Sequence, residues 1–146
     1  MKIIDKYGVV TDCPPEEELE VIRHSCAHVM AQAIQRLWPE ADFAYGPPTD
    51  KGFYYDVDLG DYKLTEEDLQ SIENEMRKIA KENLKFTPFI LERDEAKKLM
   101  EERRCKYKLE HIDDFPDDTV ISFFQQGDYI DMCRGPHITY TKALKA

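Results

Sequence analysis

No run of apolar residues in this chain approaches the length of a membrane span and no apolar signal segment opens it, so no membrane partner is expected. Its four cysteines, at positions 13, 26, 105 and 133, include no close Cys-x-x-Cys pair, which predicts reduced thiols in a cytoplasm rather than a disulfide framework. Glycine is sparse, with 6 residues, and no phosphate-cradling loop of the GxxxxGK type is present. Positive charge is in deficit. Lys plus Arg number 20 against 30 Asp plus Glu, a formal charge of −10 that opposes tight binding of nucleic acid by this chain alone. A nucleic-acid partner would have to be gripped elsewhere as well. Internal repeats and low-complexity tracts are also missing.

What is present suffices for one domain: 146 residues can bury a core without disulfide or metal staples. Residues 12–20, with Cys13, Pro14, Pro15 and acidic Glu16 to Glu18, read as a lead-in to an acidic helix start, which predicts a linker over 1–16 and a domain over 17–146. Leu19, Ile22, Cys26, Val29, Met30, Ala33 and Leu37 recur at three and four, an amphipathic helix from Glu17 to Trp38 stopped by Pro39, with Cys26 in its core-facing stripe. Strands are expected over Ala41 to Tyr45 and Gly52 to Asp58, joined by a Gly46-Pro47-Pro48 loop. Thr65 with Asp68 three residues on signals the cap of a second helix reaching about Asn83. Phe86 to Leu91 reads as an edge strand because Pro88 interrupts it, Asp94 to Glu102 as a short charged helix, and Asp113 to Asp118 as a solvated loop. Three further strands are expected over Tyr107 to Ile112, Val120 to Gln125 and Tyr129 to Cys133. The fold class is α+β, a mostly antiparallel sheet with helices packed on it.

Two short pairs carry the chemistry: His24 and His28 in Arg-His-Ser-Cys-Ala-His, and Cys133 and His137 in Asp-Met-Cys-Arg-Gly-Pro-His. At about 100° per residue both helical histidines fall roughly 160° from the centre of the apolar stripe, pointing together and away from the main core. Gly135 and Pro136 allow Cys133 and His137 to fold back on each other. A helical HxxxH alone is more often two surface residues than a ligand pair, but a matching CxxxH in a Gly-Pro turn favours a shared site. Imidazole and thiolate are preferred zinc donors, so His24, His28, Cys133 and His137 are able to hold zinc; four protein ligands would, however, leave zinc no open position for a reactive water.

Arg23-His24-Ser25-Cys26-Ala27-His28, Gly52-Phe53-Tyr54-Tyr55-Asp56 and Asp131-Met132-Cys133-Arg134-Gly135-Pro136-His137, with Trp38-Pro39, Gly46-Pro47 and Tyr107-Lys108 between them in order, resemble the editing domain of bacterial-type threonyl-tRNA synthetases over roughly residues 17–146. That domain is similar to the editing domain of alanyl-tRNA synthetases, whose second pair typically reads Cys-Gly-Gly-Thr-His. The resemblance implies hydrolysis of serine wrongly esterified to threonine tRNA. It carries functional residues onto His24 and Lys108 as the catalytic pair, and onto His28, Tyr55, Asp131, Cys133 and His137 as substrate-binding residues, with no cofactor required. The implied partners are a tRNA 3′ end carrying serine and the remainder of a synthetase, its ligation and anticodon-binding domains; the short start and the stop at Ala146 are expected of an excised or reduced fragment, which could not charge tRNA by itself.

Without that resemblance, Lys108 would read as a solvated lysine in a charged strand, Tyr55 as part of an aromatic sheet face and Asp131 as a turn residue. His111 and Cys105 lack a partner in the sequence and read as structural or exposed. Two rival functions stay open: a zinc-dependent deacylase of the alanyl type, and a non-catalytic, zinc-stabilised tRNA-binding module.

Overall fold

The computed structural model of the chain describes residues 1–43, 52, 55, 57–103 and 106–144. The class is α+β with antiparallel pairing, as expected, and the strands among the described residues lie in three small sheets. A hairpin of β1 (Lys2–Ile4) and β2 (Val10–Asp12) opens the chain, followed by helix α1 (Glu18–Leu37). Short strands β3 (Asp42–Phe43) and β4 (Val57–Asp58) pair with each other, then come α2 (Glu66–Glu82), β5 (Thr87–Leu91), α3 (Arg93–Glu102) and α4 (Lys106–Asp113). Strands β6 (Ile121–Gln126), β7 (Tyr129–Met132) and β8 (His137–Ile138) complete the described strands. The sheet order is β5-β6-β7 in one sheet and β2-β1-β8 in another.

Strand β6, central in the β5-β6-β7 sheet, is buried on both faces. Directly opposed residues share a face, so the pairings Phe124 with Asp131 and Gln126 with Tyr129 put all four side chains on one side of the β6–β7 hairpin. This side packs on α1, whose His28 ring meets Tyr129 edge-on. The alternate residue Phe123 turns to a second apolar cluster with Ala96 and Met100 of α3 and Ile112 of α4. β5 lies at the sheet edge, where Pro88 costs no ladder bond.

Helix α1 differs from its expected amphipathic form. Val29 and Ala33 are buried as the periodicity predicts, yet Leu19 and Leu37 are exposed, Cys26 is only half-buried, and Ser25, His28 and Gln32 on the polar side are buried outright. The cause is packing on more than one side: α1 touches α2 as well as β7 and β8. The histidine face is thus a second interior surface instead of a solvated one. Arg36 ties the helix end to α2, donating to Glu82 at 2.6 and 3.1 Å and to Glu75 at 3.3 Å. Trp38 closes α1 with its backbone N–H on the Ile34 carbonyl, just before Pro39.

Two further expectations change. Residues 1–16, read as a lead-in, include a hairpin whose Ile3 and Ile4 are buried and whose β1 pairs with β8, Ile4 opposite His137. Strands of three residues are too short to show a period, which is why the sequence hides them. Tyr107 to Ile112, read as a strand, lies in helix α4 instead, with Lys108 and Ile112 buried four residues apart on one face. The loop after α4 is mostly exposed as expected, and Arg93 fastens it through the carbonyls of Ile112, Phe115 and Pro116. The Gly46-Pro47-Pro48 loop, Phe53, Tyr54, Asp56 and Cys105 lie outside the described residues. Among those described, no helix is long and apolar enough to cross a membrane.

The cap of α2 follows its sequence signal. Thr65 Oγ1 accepts the Asp68 backbone N–H at 3.3 Å while Asp68 accepts that of Thr65 at 2.9 Å, a reciprocal capping box. Replacing Thr65 by Ala is expected to destabilise the fold by about 1 kcal/mol, read as a lower urea midpoint with an unchanged slope.

Candidate functional site

The two motif pairs, more than a hundred residues apart, meet. One ligand atom from each of His24, His28, Cys133 and His137 lies within 4.8 Å of every other. Helix geometry supplies the first pair, since residues four apart share a face. The second pair is made by the turn at Gly135, whose φ is +65° and where a Cβ would stand 2.6 Å from the Phe124 ring. Only glycine fits both demands. The turn brings Cys133 Sγ to 3.2 Å from His137 Nε2. The His137 ring stacks on Phe86 and lies 4.2 Å, centroid to centroid, from both His24 and His28.

A second cluster joins the first through His28. Its Nε2 is 3.2 Å from Asp131 Oδ2, and Asp131 also accepts from the Lys108 ammonium and from the Tyr55 hydroxyl. Lys108 Nζ donates to Tyr55 Oη at 2.8 Å. Lys108 is 2 % exposed and Asp131 3 %, so neither is the solvated or turn residue that its bland reading supposed. The Tyr55 ring meets Phe43 edge-on, leaving its hydroxyl in the network. All seven residues singled out from the sequence therefore stand in one linked set.

Two members of that set were not legible beforehand. Ser25 Oγ accepts the Ile138 backbone N–H at 3.1 Å and sits 3.0 Å from His137 Nδ1, fixing that ring from behind. Tyr129, two residues before Asp131 on the same strand face, donates to Tyr55 Oη at 3.2 Å. Ser25 could have been suspected as a poor helix former placed between two histidines. Tyr129 could have been found only from the register of β7. His111, the fourth histidine, packs on Phe115.

Burial sets the proton affinities. It holds His28 and His137 well below the usual imidazole range, helped by the neighbouring imidazoles, and lowers His24 against the opposing pull of Asp131. His24 is the one imidazole of the three that is not fully buried; neutral and partly accessible, it is equipped to accept a proton. Burial, then the Asp131 charge, pushes the Cys133 thiol up, and burial alone pushes Cys26 up to about 11. The Tyr55 hydroxyl is pushed well up by burial and by Asp131, so it stays protonated and donates.

The quartet has the donor chemistry of a zinc site. Zinc would draw tetrahedral N and S ligands to about 3.3–3.8 Å from one another, so the 4.8 Å spread requires contraction by roughly 1 Å. Ser25 suits that use, because its oxygen can accept a hydrogen bond from His137 Nδ1–H and leave the Nε2 lone pair for a metal. These residues can hold a metal ion, which would supply Lewis-acid charge and a thiolate at Cys133.

No family model matches the chain. It is 55% identical over 131 residues to the threonine–tRNA ligase of Clostridioides difficile, covering 90% of this chain and 20% of that protein. The threonine–tRNA ligase of Clostridium kluyveri is 50% identical over 153 residues, 99% of this chain and 24% of the ligase, and that of Syntrophomonas wolfei 51% identical over 135 residues, 92% and 21%. Nearly the whole chain is thus similar to one part of these threonine–tRNA ligases. It spans a fifth to a quarter of the length of these ligases.

The proton affinities give the chain a pH signature. Each imidazole of the site binds its proton less readily in the folded chain than at its ordinary value of 6.5. Below that pH the unfolded chain takes up protons that the folded chain refuses, so stability falls as pH drops, by up to about 1.4 kcal/mol per pH unit for each imidazole. Urea unfolding is expected to show a loss between pH 7.5 and 5.5; the same free energy at both would contradict the buried, neutral imidazoles.

Proposed function

We propose that the chain is the editing unit of a threonine–tRNA ligase, hydrolysing the ester of serine mischarged onto threonine tRNA. The observation that carries this reading is the meeting of a partly buried neutral imidazole, His24, with a buried cation and carboxylate, Lys108 and Asp131, across one linked set. Such a site is needed because serine lacks only a methyl of threonine, worth about 1–3 kcal/mol of discrimination in one pocket.

In this mechanism His24 accepts a proton from the attacking water as its oxygen bonds to the ester carbonyl carbon. Lys108, held by Asp131 and Tyr55, faces the developing oxyanion with a preorganised charge. The ester C–O bond then breaks, and the terminal ribose hydroxyl leaves with the proton that His24 held. Asp131 reads the amino group or hydroxyl of serine. His28, Cys133 and His137 line the pocket, and the Tyr55 hydroxyl, bonded to Lys108 and Asp131, holds the cation in place beside them. The −10 charge fits delegated tRNA binding, in which the remainder of the ligase, with its ligation and anticodon-binding parts, grips the phosphates in the cytoplasm and delivers the 3′ end.

The quartet's spacing also supports a second reading, a zinc-dependent deacylase or a zinc-stabilised tRNA-binding module. One experiment separates them: deacylation of serine-charged threonine tRNA by the metal-stripped chain, beside alanine-charged tRNA and the zinc-loaded chain. The editing reading predicts serine release without metal and a loss of about 10²-fold or more in His24→Ala and in Lys108→Ala, with circular dichroism confirming that each variant folds. Full activity in both folded variants would refute the assignment, and activity found only with zinc would favour the second reading.

A further inference from the structure

Asp131 occupies one ring nitrogen of His28, Nε2. The other, Nδ1, is buried and meets no hydrogen-bond partner among the described residues, and the same holds for both carboxamide atoms of Gln32 and of Gln126. All three side chains are 1 % exposed or less. They converge from two elements. Gln32 follows His28 by one turn on the same face of α1, and Gln126 ends β6 opposite Tyr129, on the hairpin face that carries Asp131. The turn after β6 closes over them: Gly127 has a φ of +57°, and a Cβ there would stand 3.0 Å from Gln32 Nε2. Gln126 is near enough to raise the proton affinity of the His28 ring, yet the two make no direct bond of ordinary geometry.

A buried polar atom without a partner costs about as much as a lost hydrogen bond, and five together would rival the net stability of a domain this size. Folded chains keep such groups where internal water satisfies them. We propose that His28 Nδ1, Gln32 and Gln126 enclose an internal hydration site, whose water bonds all three side chains and holds the His28 ring against Asp131. Water suits the chemistry because both roles are required. Asp131 only accepts, so a neutral His28 carries its proton on Nε2 and turns an acceptor, Nδ1, toward the glutamines, while each carboxamide offers both a donor and an acceptor. Water also suits the enclosure, which is shut to solvent. Gln32 and Gln126 are then positioning residues that act through His28, and the inference stands whether or not the site edits tRNA.

The test is water-to-protein cross-relaxation by NMR on the ¹⁵N-labelled chain, together with the ¹⁵N shifts of the His28 ring. The expected result is rotating-frame cross-peaks from the Gln32 and Gln126 carboxamide protons to long-lived water, and a His28 ring protonated at Nε2 with Nδ1 as a hydrogen-bonded acceptor. In Gln126→Met the Gln32 cross-peak should disappear and the Nδ1 shift should move; Gln32→Met provides the same test from the other wall if the first variant does not fold. The unsubstituted chain decides the matter without either variant. No water cross-peaks, with the carboxamides bonded directly to each other or to His28, would overturn the proposal.

Discussion

The site depends on a buried ion pair between Lys108 of α4 and Asp131 of β7. Two charges taken out of water are tolerable only when their remaining hydrogen-bonding capacity is used. Here Asp131 is satisfied by Lys108, by the Tyr55 hydroxyl and by His28, and Lys108 shares Tyr55. That requirement binds α1, Tyr55, α4 and the β6–β7 hairpin at one point. Of the imidazoles, His28 bonds this arrangement directly, and its proton affinity is lowered by burial first and then by the neighbouring His24 and Lys108.

The thiol end of the site is held by backbone. The turn at Gly135 presses against Phe124 and returns the chain so that His137 faces Cys133. His137 is then clamped by Ser25, by Phe86 and by the pairing of β8 with β1. The opening hairpin is therefore a brace for a site residue. With its rings packed on one another, on Phe86 and on Tyr129, the site has little freedom to relax, and preorganisation of that kind is what a charge-stabilising centre needs.

Local chemistry was legible where it is local. HxxxH on a helix, CxxxH around Gly-Pro, and Thr65 with Asp68 each carry their geometry in their spacing, and each forms as read. Tertiary relations were not. The buried polar face of α1 looks solvated because its covering layer lies about a hundred residues away in sequence. Lys108 sits in a short stretch of alternating character that reads as a strand, and only its burial against Asp131 shows why α4 turns as a helix with positions 108 and 112 inward. Ser25, Gln32, Gln126 and Tyr129 matter because of what they face, which no period records.

The most direct measurement of the central claim is a double-mutant cycle on Lys108→Met and Asp131→Asn, followed by urea unfolding at pH 7.5. A buried pair broken on one side leaves the other charge or dipole stranded, so Lys108→Met should cost about 3–5 kcal/mol and the double variant clearly less than the sum of the two singles. Strictly additive effects, or a Lys108→Met variant as stable as the unsubstituted chain, would contradict the account.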